Sequence, residues 1–433
     1  MYPAAEKSLE NLVGFGSPDA DLSHDELRRF VEDALVSIEP RAKILAIVPD
    51  KTRDDNTDIL FPFAAEFLKN KAVGKLDVLI AQGTHVPMTA AEKQAKIGVG
   101  DGEKISDLGR VYDHNWSSRD ALVQIGELSV ERVKAITNGL YEKPIPLTIN
   151  KLLAPGNYDF VLIFGATVPH EVAGFAGAAK YFFPGVAGPE LTHATHWLGA
   201  LAGIENTIGR IETPTRHLIE AAADFVDAQV IAFTTVVTRD DEDRLRTHGL
   251  FAGDFRASLR AGAEISKIVH IKYTGRKYAR VIALLDEHYD ELWVGGKASY
   301  KLGGIIDNGG ELIIYAPQMR CISATHGEII ERYGYAAIEK MQELVAESGE
   351  LEENLCVAAH LAHVAYAGRQ NEHGEIVPRY NITLASQIDE ATCRRVNLGY
   401  MDFRTFRRED YENDPDTLIV ERAGRDLYLV EPN

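Results

Sequence analysis

The chain has 433 residues, more than one ordinary core needs, and its 45% hydrophobic content is enough to pack two. A formal net charge of −19 argues against nucleic acid and anionic membranes as partners, so a small anionic substrate would need a local cationic pocket. Cys321, Cys356 and Cys393 are too few and too scattered for a disulfide framework or a cysteine zinc site. The opening MYPAAEKSLE has no signal-peptide pattern, and no apolar run nears the roughly 18 residues of a membrane span, so a cytoplasmic protein is expected.

In chain order, residues 24–37 carry apolar side chains at helical spacing behind Ser23, a fitting N-cap. Lys43–Val48 is an apolar run stopped by Pro49-Asp50, which predicts a buried strand and then a loop. Asp58–Asn70 predicts a helix. Leu76–Ala81 predicts a second strand ending at Gln82-Gly83-Thr84-His85, and Ala90–Ile97 a further helix. Tyr158–Gly165 is a third buried strand, running into a long loop over Pro169–His196, and Gln229–Val237 is a fourth. Ile265–Ile271 is apolar and Lys272–Lys277 polar. Beyond them Arg280–Leu285, Gly309–Pro317 and Asn381–Ser386 read as strands, and residues 368–378 as an exposed loop. Asp426–Val430 reads as a last strand able to pair with either domain.

Apolar strands alternating with helices predict an α/β protein of two domains, residues 1–272 and 277–433. Each should be a mostly parallel sheet with helices on both faces. Ligands of such sheets sit beyond the carboxyl ends of the strands. That places Asp50–Arg53, Gln82–His85 and Pro169–His196 on one rim.

These segments carry the chemistry. Within Pro169–His196, His170, Lys180, His193 and His196 are threaded with Gly174, Gly177, Gly185 and Gly188. Histidine supplies ring nitrogens for proton transfer or a metal, lysine an amine for covalent anchoring, and glycine a close backbone approach. The GFAG at 174–177 could present backbone amides to a phosphate. His85 could be a base at the sheet rim, or simply a loop histidine satisfied by backbone. Arg53 could clamp a carboxylate, with Asp50 orienting it, and Lys297 could be a second cation; the bland reading of both is solvated charge. His193 and His196 suit one face of a helix, but no carboxylate or cysteine completes a zinc set. No GxxxxGK[ST], GxGxxG or GxSxG pattern is present.

DKTR at 50–53, GTH at 83–85, PHEVAGFAGAAKYFFPGVAG at 169–188, FAGD at 251–254 and Lys297 ahead of GGELII at 309–314 stand in an order that resembles the nickel-pincer lactate racemases over most of the chain. The long PHxxxGFxGxxK stretch is the most specific part. The resemblance implies a racemase or epimerase that inverts C2 of a 2-hydroxy acid in a cleft between the domains. His85 and His170 would be its catalytic bases. Lys180 would join covalently to a nickel-pincer nucleotide (a pyridinium-3-thioamide-5-thiocarboxylic acid mononucleotide), with Gly174, Gly177 and Thr84 beside it and His196 on the nickel. Arg53, Lys297 and Asp50 would hold the substrate, with Trp293 in its pocket. Cofactor-synthesis enzymes are then implied partners, a homo-oligomer is an open expectation, and nucleic acid and membrane are not expected.

Three departures accompany this. Trp293-Val294 replaces the family's tyrosine-glutamine pair, Ala178-Ala179 replaces glycine-arginine before the anchoring lysine, and Asp54-Asp55-Asn56 stands where a proline is usual. The first shifts the expectation from lactate toward a longer 2-hydroxy acid or sugar acid. Asp54, Asp55 and His360 are candidates to meet its extra hydroxyls. The alternatives are a catalytically inactive binding or regulatory homologue of the same fold, and a divalent-metal lyase or hydrolase built on His193 and His196.

Overall fold

The computed structural model describes residues 12–105, 107–240 and 242–432; the MYPAAEKSLE segment read above lies outside them. The described residues fall into two compact units. The first draws on described residues within 12–168, Phe175–Thr195 and Ile211–Val269, the second on Pro169–Gly174, His196–Arg210 and residues 270–432.

The first unit is built on an eight-stranded sheet. Its spatial order is Val13–Gly16, Leu245–Gly253, Gln229–Arg239, Phe160–Ala166, Lys43–Pro49, Lys75–Ala81, Gly109–Tyr112 and Lys104–Ile105. The five strands from Gln229–Arg239 to Gly109–Tyr112 run parallel, and the pairings outside them are antiparallel. The apolar runs 44–49 and 76–81 are buried throughout, as strands covered on both faces must be. Helices His24–Leu35 and Thr57–Asn70 contribute Leu27, Val31, Phe61 and Leu68 to the core on one face. The first begins with a capping box, Ser23 accepting from the Glu26 N–H while Glu26 reaches back. The sheet register aligns Pro49 with Ala81 and Ile47 with Ile163. The loops after these three strands therefore emerge side by side.

The second unit holds a wholly parallel five-stranded sheet in the order Gly399–Asp402, Asn381–Ser386, Ile306–Ala316, Tyr278–Leu284, Thr417–Val420. The terminal strand Leu427–Leu429 pairs with Ile271–Tyr273. Residues 368–378, read as a loop, form a hairpin of Gly368–Gln370 and Ile376–Pro378 instead. Asn371 Oδ1 accepts the His373 and Glu375 N–H groups, and Gly374 takes φ 79°, so turn chemistry closes what polarity suggested was open. The stretch 169–196 is likewise not one loop: it contains a short 3₁₀ turn, Ala178–Tyr181, and the helix Pro189–Ala202. All three cysteines are free, Cys321 exposed and the other two buried. No helix among the described residues is long and apolar enough to cross a membrane.

Candidate active site

In the first unit the chemistry gathers where the strands Lys43–Pro49, Lys75–Ala81 and Phe160–Ala166 end. Asp50 is buried, 3% exposed. Its Oδ1 accepts the Thr52 N–H at 2.9 Å and the Thr52 hydroxyl at 2.6 Å, and its Oδ2 lies 2.5 Å from His85 Nδ1. An ionised carboxylate can only accept, so in neutral His85 the proton belongs on Nδ1 and Nε2 keeps its lone pair. Burial pushes the Asp50 carboxyl up. The hydrogen bond and charge of His85, the Arg53 charge and the Thr52 hydroxyl outweigh it and hold the group well below the usual carboxylate range.

Arg53 is fixed through its backbone. Its N–H donates to the Asp50 carbonyl at 3.3 Å, and the Arg53 carbonyl accepts from Lys96 Nζ at 2.9 Å, which also pairs with buried Asp55 at 2.7 Å. Asp54 pairs with Arg239 at 2.7 Å. The two acids of the departing loop are thus engaged by basic residues, whereas among the described residues the Arg53 guanidinium has no ion-pair partner.

Lys180, half-buried, sits in the Ala178–Tyr181 turn. The turn is entered through Gly177 at φ 101° and Ala178 at φ 51°, the latter a conformation an L-residue adopts at some cost. Gly83 N–H donates to the Gly185 carbonyl at 2.9 Å, and Gly185 N–H to the Lys180 carbonyl at 3.1 Å, which joins the GTH loop to the lysine loop. Tyr181 packs on Gly165, where an added Cβ would stand 2.3 Å from the phenol oxygen. Burial, then the charge of Asp55, drives that phenol's pKa far up. Beyond the turn, Asn150 N–H donates to the Val186 carbonyl and Gly188 N–H to that of Thr148, both at 2.9 Å. His193 meets Trp116 edge-on at 6.1 Å, and burial lowers its pKa.

In the second unit, the Val172 N–H donates to His170 Nδ1 at 3.1 Å, and the same nitrogen lies 3.5 Å from a Glu171 carboxylate oxygen. Buried Lys301 donates to the Pro169 carbonyl at 2.7 Å and fixes the backbone just before that ring. Trp293, four residues ahead of Lys297, meets two imidazoles at tilted angles, His326 at 4.6 Å and His360 at 4.2 Å between centroids. His360 bonds the Tyr300 hydroxyl at 2.9 Å. Burial, with the nearby rings of His363, His326 and His196, holds His360 well below its ordinary pKa. Lys297 Nζ lies 5.9 Å from the Tyr289 ring centroid.

His193 and His196 share the helix Pro189–Ala202, three positions apart. Among the described residues no three His, Cys, Asp or Glu side chains come together as a metal cluster. A metal taken by His196 would therefore draw its other donors from a non-protein group, and a pincer ligand with its own sulfur and carbon donors fits that requirement. An amine on a tightly turned loop, Lys180, fits as its anchor.

Sequence reasoning missed His114, Lys96, Lys301, His326 and Arg216. Each acts through a partner distant in the chain, and no local motif marks it.

These features define an α/β protein of two units, each with a mainly parallel sheet, and an acid-oriented histidine beside a lysine-bearing turn. Residues 31–209 match the lactate racemase N-terminal domain family. The lactate racemase of Lactiplantibacillus plantarum is 25% identical over 265 residues, covering 60% of this chain and 53% of that protein. The lactate racemase of Thermoanaerobacterium thermosaccharolyticum is 29% identical over 160 residues, covering 36% and 33%. The chain thus matches about half the length of the first of these curated relatives and a third of the second. A crystal structure of a Thermotoga maritima protein superposes with TM-score 0.85 at 28% identity, covering 96% of this chain and 99% of that one. The apoprotein of the T. thermosaccharolyticum lactate racemase superposes with TM-score 0.71 at 18% identity, covering 97% and 94%, a likeness of fold. Residues 31–209 thus resemble a lactate racemase N-terminal domain, and the chain shares the fold of the lactate racemase apoprotein.

Proposed function

We propose that this chain inverts C2 of a 2-hydroxy acid, with Lys180 carrying a nickel-pincer mononucleotide and His196 as the protein ligand to nickel. The observation that carries the reading is the 2.5 Å contact between Asp50 and His85, on a loop bonded to the Lys180 loop. When bound, the pincer group supplies a hydride acceptor, without which the C2 hydrogen beside a carboxylate is very hard to remove. Everything else falls to the chain's own residues.

Asp50 holds His85 with Nδ1 protonated, so that Nε2 can take the proton of the substrate hydroxyl. Arg53, without an ion-pair partner, offers a bidentate clamp for the substrate carboxylate, and Lys297 a second cation. His170 serves the opposite face, its backbone fixed by Lys301. Two bases are needed because the hydroxyl of each hand presents its proton to a different side. Thr84, Gly174 and Gly177 flank the group that Lys180 anchors. Trp293 lies on the substrate side and sets which 2-hydroxy acid is preferred.

The test is intact mass and nickel content of the protein co-produced with the pincer-synthesis enzymes, followed by racemisation assays on a panel of 2-hydroxy acids. A mononucleotide adduct mapping to Lys180, one nickel per chain and loss of both in Lys180→Ala are expected. A folded protein with neither adduct nor nickel, beside a working synthesis control, would turn the reading to an inactive binding homologue.

A further inference from the structure

Helix Pro214–Ala223, in the first unit, packs against the Ala178–Tyr181 turn. Arg216, in its first turn, is fully buried at 0% exposure. One of its terminal amino groups, Nη2, donates to the carbonyl of Phe175, within the GFAG that precedes Lys180. Its Nε and Nη1 have no hydrogen-bond partner, and neither does the hydroxyl of its neighbour Thr215, also buried.

A guanidinium stripped of water and left with unpaired N–H groups is costly, and folded proteins rarely keep one without an anion. The obvious internal counter-ion is Glu220, one turn further on, but it is occupied. Its Oε1 lies 3.1 Å from Arg260 Nη1 and its Oε2 3.4 Å from Arg256 Nε. Glu212 is taken by Arg260 at 3.0 Å and His217 at 2.7 Å. Burial lowers the Arg216 pKa to about 10 against the opposing charges of Glu220 and Glu212, so the cation persists at neutral pH. The helix terminus alone would be a weak argument, because Pro214 has no N–H and the Arg216 N–H is already taken by the Thr213 hydroxyl at 3.1 Å. The unpaired side chains beside the lysine turn make the case.

We infer that Arg216 and Thr215 form an anion site behind the GFAG turn, built for a dianionic phosphate. Two sources carry that chemistry, a free phosphate ion or the phosphomonoester of a nucleotide held at Lys180. The second rests on the reading given under Proposed function.

Calorimetry on the protein without cofactor separates them, using inorganic phosphate, nicotinic acid mononucleotide and the matching nucleoside as probes. Phosphate is expected to bind. Arg216→Met should weaken it by about tenfold or more, the scale of losing charge-assisted hydrogen bonds. Arg216→Lys, which keeps charge without the planar fork, should fall between, and it carries the test if the methionine variant fails to fold. A merely structural arginine would lose stability with no selective loss of phosphate. A mononucleotide that outbinds its nucleoside through Arg216 assigns the nucleotide source; phosphate binding without that difference assigns free phosphate. Equal phosphate affinity in wild type and Arg216→Met, or no phosphate binding at millimolar concentration, overturns the inference. Failure to find an adduct on Lys180 would remove the cofactor reading and leave the Arg216 result standing.

Discussion

Asp50 Oδ2 stands 2.5 Å from His85 Nδ1, and the same carboxylate's other oxygen is held by the Thr52 backbone and hydroxyl. A carboxylate gripped on both oxygens cannot turn away, so it fixes both the ring plane and the tautomer of His85. Asn at position 50 would keep the shape but could donate as well as accept, and would no longer dictate which nitrogen carries the proton. Asp50→Asn should fold normally and lose about 10²- to 10³-fold in kcat in both directions, the usual weight of a well-placed general base. Chiral chromatography of the product mixture over time measures this directly. Wild-type turnover in the variant would place the base elsewhere.

Trp293 meets the rings of His326 and His360, and its backbone N–H donates to the Ile322 carbonyl at 2.9 Å. The indole is therefore held by ring contacts as well as by its backbone. Replacing Trp293-Val294 with the tyrosine-glutamine pair usual in the resembling family should shift kcat/KM toward lactate, relative to longer 2-hydroxy acids. The shift should be about tenfold, the scale of a few pocket contacts. Competition assays with paired substrates would read the ratio; an unchanged ratio would take Trp293 out of the specificity wall.

Much of this was legible in sequence because parallel strands bury both faces and so write themselves as apolar runs. Lys43–Pro49, Lys75–Ala81 and Asn381–Ser386 each fall within a residue of their expected bounds. The antiparallel outer strands Val13–Gly16 and Leu245–Gly253 were not read, since their burial is partial and their patterns broken. At the site, DKTR and GTH could be placed on one rim from strand order alone, but the Asp50–His85 contact could not. Nor could Asp54 and Asp55 be assigned to Arg239 and Lys96, because pairings across 185 and 41 residues leave no local signal. Asp54 and Asp55, weighed as readers of substrate hydroxyls, are engaged in those ion pairs.

The glycines of the motif segments differ in what they do. Gly174 has φ 77°, and an added Cβ would stand 1.8 Å from the Arg210 carbonyl oxygen, a backbone atom that cannot swing away. Gly83 has φ 55° but nothing within 4 Å of that position. Gly83→Ala should therefore cost only the left-handed backbone penalty, about 1–2 kcal/mol. Gly174→Ala adds a clash to that and should cost about 3 kcal/mol or more. Thermal melts of the two variants, side by side, should rank them in that order; equal losses would mean that the 174 turn relaxes more freely than its packing indicates.

His114 gives the protein a pH dependence that can be worked through. The ring is buried, its Nε2 donating to the Ala187 carbonyl at 2.9 Å and its Nδ1 accepting from the Asn150 amide at 3.2 Å. Both nitrogens are thus satisfied in the neutral form, and an added proton at Nδ1 would face the Asn150 amide donor. Burial pulls the pKa down to about 4, only partly opposed by the bond to Ala187. The unfolded chain, with an ordinary histidine near 6.5, binds that proton first. Stability from this residue is therefore complete above pH 6.5 and drains away as pH falls toward 4. The loss is about 2 kcal/mol by pH 5 and roughly 3 kcal/mol in all. His193, His248, His360 and His363 are lowered in the same direction, so the wild-type curve sums several such terms. His114→Gln isolates one of them. The variant should be less stable than wild type at pH 7.5, and the gap between the two urea midpoints should shrink or reverse by pH 5. A parallel pH dependence in both proteins would show that His114 takes up its proton without opening the fold.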